Sequence, residues 1–240
     1  MNTKVLSRTL AAAVLIAALP LATATAVAVT PGSALGAAQA QRLTNLKTKG
    51  AAEIDRRLAN LNAAQAKLQA ATTLTAANKT TLQQQVQAEI TGLTNLKTKL
   101  AADTDLATAR ADVASIVADY RVYALMLPKA RLVASGDRLS VVVNKLTDLS
   151  GQLQTKIDAR AAAGQDVTAL RASLADLNAK KADAVKQIVG LTNLLALQPS
   201  DYNANHALLL TYRDGLRTAQ TDLKAARDDA KSIIGALPAK

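Results

Sequence analysis

Beyond Gln41 the apolar residues fall three or four positions apart, in six successive stripes: Leu43–Leu68, Leu82–Leu100, Leu106–Leu127, Leu132–Ile157, Val167–Leu195 and Leu209–Leu237. That period lines one face of an α-helix. The expected fold is therefore all-α: an elongated bundle of about six long amphipathic helices, paired as antiparallel hairpins in a coiled-coil-like manner. Composition removes the competitors. Of 240 residues 53 are Ala, while Cys, Trp and Phe are absent and Tyr occurs four times. Without Cys there is no disulfide scaffold, thiolate metal site or cysteine nucleophile. A β-sandwich would want Val, Ile and aromatics in alternation, and an aromatic nucleic-acid platform has no rings to use.

Punctuation agrees with the period. Thr73-Leu74-Thr75, Asp103-Thr104-Asp105 and Gly164-Gln165-Asp166 each place a hydroxyl or carboxylate just before a stripe, where it can accept from the free amides of a helix start. Pro128 and Pro199 fall between stripes and suit a first helical turn, where the missing N–H costs nothing. The helices should run about 25 to 35 residues, roughly 40 to 50 Å. Leu43-Thr44-Asn45-Leu46-Lys47-Thr48-Lys49 recurs unchanged at Leu93 to Lys99, and its first four residues return at Leu191 to Leu194. Duplication of a helical hairpin, residues 42–101 and 138–197, accounts for this echo.

Lys4 and Arg8 precede an uncharged stretch from Thr9 to Gln41, within which Leu10 to Val29 reads as the apolar core of a secretory signal. Ala26-Val27-Ala28 supplies the small residues for cleavage before Val29. The expected divisions are a signal peptide at 1–28, a flexible spacer at 29–41 carrying Pro31, Gly32 and Gly36, and the helical bundle at 42–238. An uncleaved anchor is the rival reading, since about 20 uncharged residues can just span a bilayer. In both cases the protein is exported, to the cell envelope or the extracellular space, and a membrane is a partner only if the leader is retained.

Little in the chain suggests chemistry. His206 is the only imidazole, without the Cys or His companions of a zinc site, and reads as a helix-start or packing residue. Asp103-Thr104-Asp105 lacks the glycine and downstream glutamate of a calcium loop and reads as an N-cap. Glu53 and Glu89 are the only glutamates, and acids such as Asp55 beside Arg56 and Arg57 look like solvated faces. No phosphate-loop, nucleophile-elbow or zinc-protease motif occurs. The expectation is a protein without catalytic, metal-binding or cofactor-binding residues.

Around Asp119-Tyr120-Arg121-Val122-Tyr123 to Pro128-Lys129 the helix is apolar on nearly every side, as a central helix would be. The alternative is an adhesive patch with a basic rim: Tyr120, Arg121, Tyr123, Lys129 and Arg131 are the candidate interaction residues. Net charge is +11, and +9 once Lys4 and Arg8 leave with the leader. Spread thinly, it supports weak, salt-sensitive contact with anionic envelope polymer or extracellular DNA, and no sequence-specific reading of nucleic acid. A non-enzymatic surface or envelope protein, working by helix-face contact with a protein partner or with itself, is the leading expectation. The electrostatic binder is the alternative.

Ala101-Ala102-Asp103-Thr104-Asp105-Leu106-Ala107-Thr108-Ala109-Arg110, the stretch Asp119 to Tyr123, and Asp201-Tyr202-Asn203-Ala204-Asn205 resemble a family of uncharacterised exported α-helical proteins of candidate-phyla bacteria, Saccharibacteria among them. The likeness covers nearly all of the chain after the leader. It implies export and a helical fold, and no activity, cofactor or catalytic residue. Relatives tend to carry more aromatics than this chain, which has no Phe.

Overall fold

The computed structural model describes residues 31–237, with side chains from Gly36. The signal peptide expected at 1–28 lies outside the described residues. The described chain is all helix and loop, an all-α bundle, in the order α1 (Pro31–Ala70), α2 (Ala76–Ala102), α3 (Leu106–Ala118), a π turn (Val122–Met126), α4 (Leu127–Ala162), α5 (Thr168–Val189), a 3-10 segment (Gly190–Ala196), α6 (Pro199–Ala204) and α7 (Leu208–Ala236). The chain divides into two compact units at Ala38. The described part of the first unit, residues 31–38, is helical, and both cores and all sites described below belong to the second.

The flexible spacer is a correction. Residues 31–41 are helical, the first turns of α1. Ala34, Ala37, Ala38 and Ala40 are the best helix formers and carry the helix through this stretch. A second correction concerns the third stripe, which was expected to be one helix from Leu106 to Leu127. It is broken at Asp119-Tyr120-Arg121, where Arg121 takes a left-handed conformation at φ 39°. The fifth stripe likewise changes from α-helix to 3-10 helix at Gly190, and α6 is a short helix between stripes.

The expected caps are present. Thr75 accepts from the Asn78 amide, Asp105 from the amides of Ala107 and Thr108, and Asp166 from that of Thr168. The Thr108 hydroxyl, which also donates to Asp105, and then these amides hold the Asp105 carboxyl below its usual pKa, and the Thr168 amide does the same for Asp166. α4 ends at Gly164, φ +75°, with Gln165 N–H donating to the Arg160 carbonyl and Gly164 N–H to that of Ala161. Only glycine adopts that φ without strain.

Two apolar cores form. The first gathers Ile54 and Leu61 of α1, Leu82, Leu93 and Leu100 of α2, Ile116 of α3, Met126, Val133 of α4, Leu194, and Leu216 of α7. Here α1 and α2 run antiparallel: Lys47 Nζ donates to the Asp103 carbonyl at 2.8 Å and Lys97 pairs with Asp55 at 2.6 Å. Lys99 joins α2 to the buried Asp112 of α3 at 2.7 Å, a bond that raises its own pKa.

The second core is a three-helix unit of the C-terminal half of α4, α5 and α7. Its buried positions keep a seven-residue spacing: Leu146, Ser150, Leu153 and Ile157 on α4, Ala219, Leu223, Ala226, Ala230 and Ile233 on α7. Alanine at 184, 219, 226 and 230, all at most 1 % exposed, puts only methyl groups at these buried positions of α5 and α7. One polar layer interrupts it: Ser150 Oγ and Lys181 Nζ both donate to Asn178 Oδ1, at 2.9 and 3.0 Å. A buried polar layer of this kind favours one register over its neighbours, because a shift would strand its donors.

Helix α4 thus serves both cores, which makes its continuity valuable. Gly151 interrupts it without reason of packing, since a Cβ there would meet nothing within 4 Å. Gly151→Ala should raise unfolding free energy by about 1 kcal/mol, read as a higher melting temperature. An unchanged or lower value would contradict a continuous α4 at this point.

Candidate functional site

The five residues proposed as one patch do not share one surface. They are distributed over three environments around the α3–α4 joint.

The first environment is a polar cavity of about 230 Å³, where α2, the end of α3, the start of α4 and the Leu197–Pro199 stretch meet. Tyr120 and Lys129 both line it. Lys129, which the patch reading puts on an exposed rim and the central-helix reading inside, is 4 % exposed, and its Nζ donates to the Leu197 carbonyl at 3.0 Å. It faces Glu89, one of the two glutamates, and burial pushes the Glu89 carboxyl up to about 7, with only partial relief from the Lys129 charge. Burial lowers the Lys129 ammonium in turn, and Glu89 only partly restores it. The Tyr120 phenol is raised by burial first, then by Glu89 and Asp119. Gln85 closes one side, donating to the Leu195 carbonyl at 2.7 Å. The Tyr120 ring fits because α2 has Gly92 beneath it: a Cβ there would lie 2.6 Å from Tyr120 Cε1. An acid, an amine and a phenol therefore face one small space. The acid can change its charge near neutral pH.

The second environment is the strained joint. Left-handed backbone at a non-glycine residue costs roughly 1 kcal/mol. At Arg121 it is held by side-chain anchors: Nε donates to Asn203 Oδ1 at 2.5 Å, and the guanidinium sits 5.6 Å over the Tyr202 ring. Asn203 Nδ2 in turn donates to the Ala118 carbonyl at 3.0 Å. Asp201-Tyr202-Asn203 of α6 is thereby a clamp on the α3–α4 joint. His206 packs edge-on against Tyr202 at 5.2 Å, and among the described residues no cluster of metal-ligating side chains occurs. Tyr123, 45 % exposed, accepts from Asn60 Nδ2 and stacks on Arg57 at 5.0 Å. Arg57 was expected on a solvated face. It is buried, paired to Glu53, with its charge over the Tyr123 ring.

The third environment holds Arg131. It lines a groove of about 420 Å³ between the C-terminal end of α1, the α1–α2 turn and the N-terminal half of α4. The floor is apolar, from Leu68, Leu74 and Leu127, with small residues such as Ala64 and Ala134 leaving the space open. Lys67, Arg131 and Arg138 rim it, and no acid does. No ion pair engages any of the three among the described residues.

No family model, curated protein or solved structure matches this chain. The site's chemistry must be read from its own residues. Glu89 stood out in sequence only as one of two glutamates, and Lys67 and Arg138 did not stand out as site residues, because each acquires its neighbours from helices tens of residues away. Among the described residues, no helix is long and apolar enough to cross a membrane.

Proposed function

We propose that this chain is a non-enzymatic exported structural or protein-interaction protein of the cell surface or envelope, acting through helix faces on a protein partner or on a second copy of itself. The observation that carries the reading is the apolar surface left on the three-helix unit after its core is filled. Val185 and Val189, one turn apart on α5, are 37 % and 59 % exposed. Val189 shares a shallow cleft with Ser140 of α4, and α4 continues with exposed Val141 and Val142. Large apolar side chains on rigid helices, with no conformational cost left to meet on contact, suit coiled-coil-like pairing with another helix.

The test is capture of the chain's partner from its own envelope fraction at about 50 mM and about 500 mM salt, where exposed charges are screened within a few ångströms. Val185→Asp/Val189→Asp is the variant. Capture that survives salt and fails with the variant supports helix-face contact. Capture lost in salt and kept by the variant replaces it with the electrostatic alternative, for which the acid-free cationic rim of Lys67, Arg131 and Arg138 speaks.

A further inference from the structure

The groove between α1 and α4 has two properties that the surface-interaction reading does not use: an apolar floor and an uncompensated positive rim. We propose that it binds a single-chain fatty carboxylate, the acyl chain along the floor and the carboxylate against Arg131 and Arg138.

Size argues for a small amphiphile. A volume of about 420 Å³ lies near the lower end of small-molecule sites and takes one acyl chain, whereas a folded partner would need a far wider footprint. The floor is built rather than incidental. Leu68 and Leu74 are 5 % and 8 % exposed, so they are fixed by the core below while one edge faces the groove. Each methylene laid against such a floor leaves water, and the gain grows with chain length.

Charge selects the head group. Arg131 and Arg138 are seven residues apart on α4, two turns on one side of the helix, and Lys67 faces them from α1. Asp137, the acid beside Arg138 in sequence, is turned inward. Its Oδ2 accepts from the Thr75 amide at 2.7 Å and its Oδ1 from Asn78 Nδ2 at 2.9 Å, holding the start of α2. Arg138 Nε makes only a bond to the Ala134 carbonyl at 3.2 Å, leaving the terminal nitrogens of its fork for a ligand. Two planar guanidiniums at the mouth of an apolar slot suit a carboxylate, which a fork can grip with two bonds.

The test uses the whole chain and dodecanoate below its micelle concentration, followed by titration calorimetry with dodecanol and acetate as comparison probes. One dodecanoate per chain is expected, at least tenfold tighter than dodecanol, with no measurable acetate binding. Arg131→Gln/Arg138→Gln, both exposed positions, should weaken dodecanoate at least tenfold and leave dodecanol unchanged. Ala64→Leu, which fills the slot, should weaken both, with circular dichroism confirming that each variant keeps its helix. Equal affinity for dodecanoate and dodecanol, indifference to the arginine change, or acetate competing for the same site would each overturn the proposal. So would binding confined to vesicles of anionic phospholipid, which would make this a membrane-surface patch. Helix-face capture through Val185 and Val189 is unaffected by any of these outcomes.

Discussion

Gly50→Val is expected to lower unfolding free energy by about 3 kcal/mol, roughly 10 °C in melting temperature for a chain of this size. Gly50 is buried in α1 where the helix lies directly against α2 and α3. A Cβ there would come within 2.6 Å of Leu100 Cδ2 and 2.7 Å of Val113 Cγ2, so both side chains, packed in the first core, must shift to admit it. Alanine at the same place gains about 1 kcal/mol of helix propensity against that clash, so Gly50→Ala should be only mildly destabilising. Valine adds two more methyl-sized volumes and β-branching. Urea unfolding of the two variants separates packing from propensity: equal stability for Ala and Val would contradict the close α1 approach.

Glu89 supplies the second large effect, and it depends on pH. Its carboxyl sits at about 7 in the folded chain against an ordinary value of 4.5. Between those values the native state holds a proton that the unfolded state has released. Stability must therefore fall as pH rises from about 4.5 to about 7, and stay low above it. The loss is about 2 kcal/mol once the solvent that still reaches the carboxyl is allowed for. Glu89→Gln carries no titrating proton and leaves the Lys129 bond to the Leu197 carbonyl available. The variant should gain about 2 kcal/mol at pH 8, gain almost nothing at pH 4, and show a flatter stability profile between them. A variant that is less stable than the parent at pH 8 would mean that the ionised carboxylate is held by Lys129 more strongly than burial penalises it.

The helices themselves were readable in the sequence because burial on one face imposes a local period, and Leu216, Leu223, Ala230 and Ile233 sit where that period places them. Capping was readable for the same reason: Asp105 serves amides two and three residues ahead of it. The break at Arg121 was not. Nothing in Asp119-Tyr120-Arg121 resembles a turn, and the left-handed residue is held by Tyr202 and Asn203, some eighty positions on. The helix over 31–41 was hidden in the opposite way, because Gly32 and Gly36 punctuate a stretch whose alanines favour helix. The apolar surroundings of Lys129 in sequence suited a central helix but indicated no partner for its charge. Only the packing of α2 and the Leu197 stretch over it shows that the charge is enclosed with Glu89. The repeated Leu-Thr-Asn-Leu segments fall on α1, α2 and the 3-10 segment, and the two stretches read as copies, 42–101 and 138–197, each contain an antiparallel pair of helices. Geometry of that kind accompanies duplication and also arises without it.

The central claim is the pairing of helices: α1 against α2 and α4 against α5, each antiparallel and in one register. The chain has no cysteine, so two introduced thiols can be cross-linked without interference. Asp55 and Lys97 touch across α1 and α2 at 2.6 Å, and Asp158 and Arg171 across α4 and α5 at 3.4 Å, all at the surface. With a short bismaleimide, Asp55→Cys/Lys97→Cys and Asp158→Cys/Arg171→Cys should each close within one chain. Asp55→Cys/Lys79→Cys, with its second thiol about 27 Å farther along α2, should not. Comparable yields in the matched and mismatched pairs would contradict the register, and with it both cores and the groove between α1 and α4.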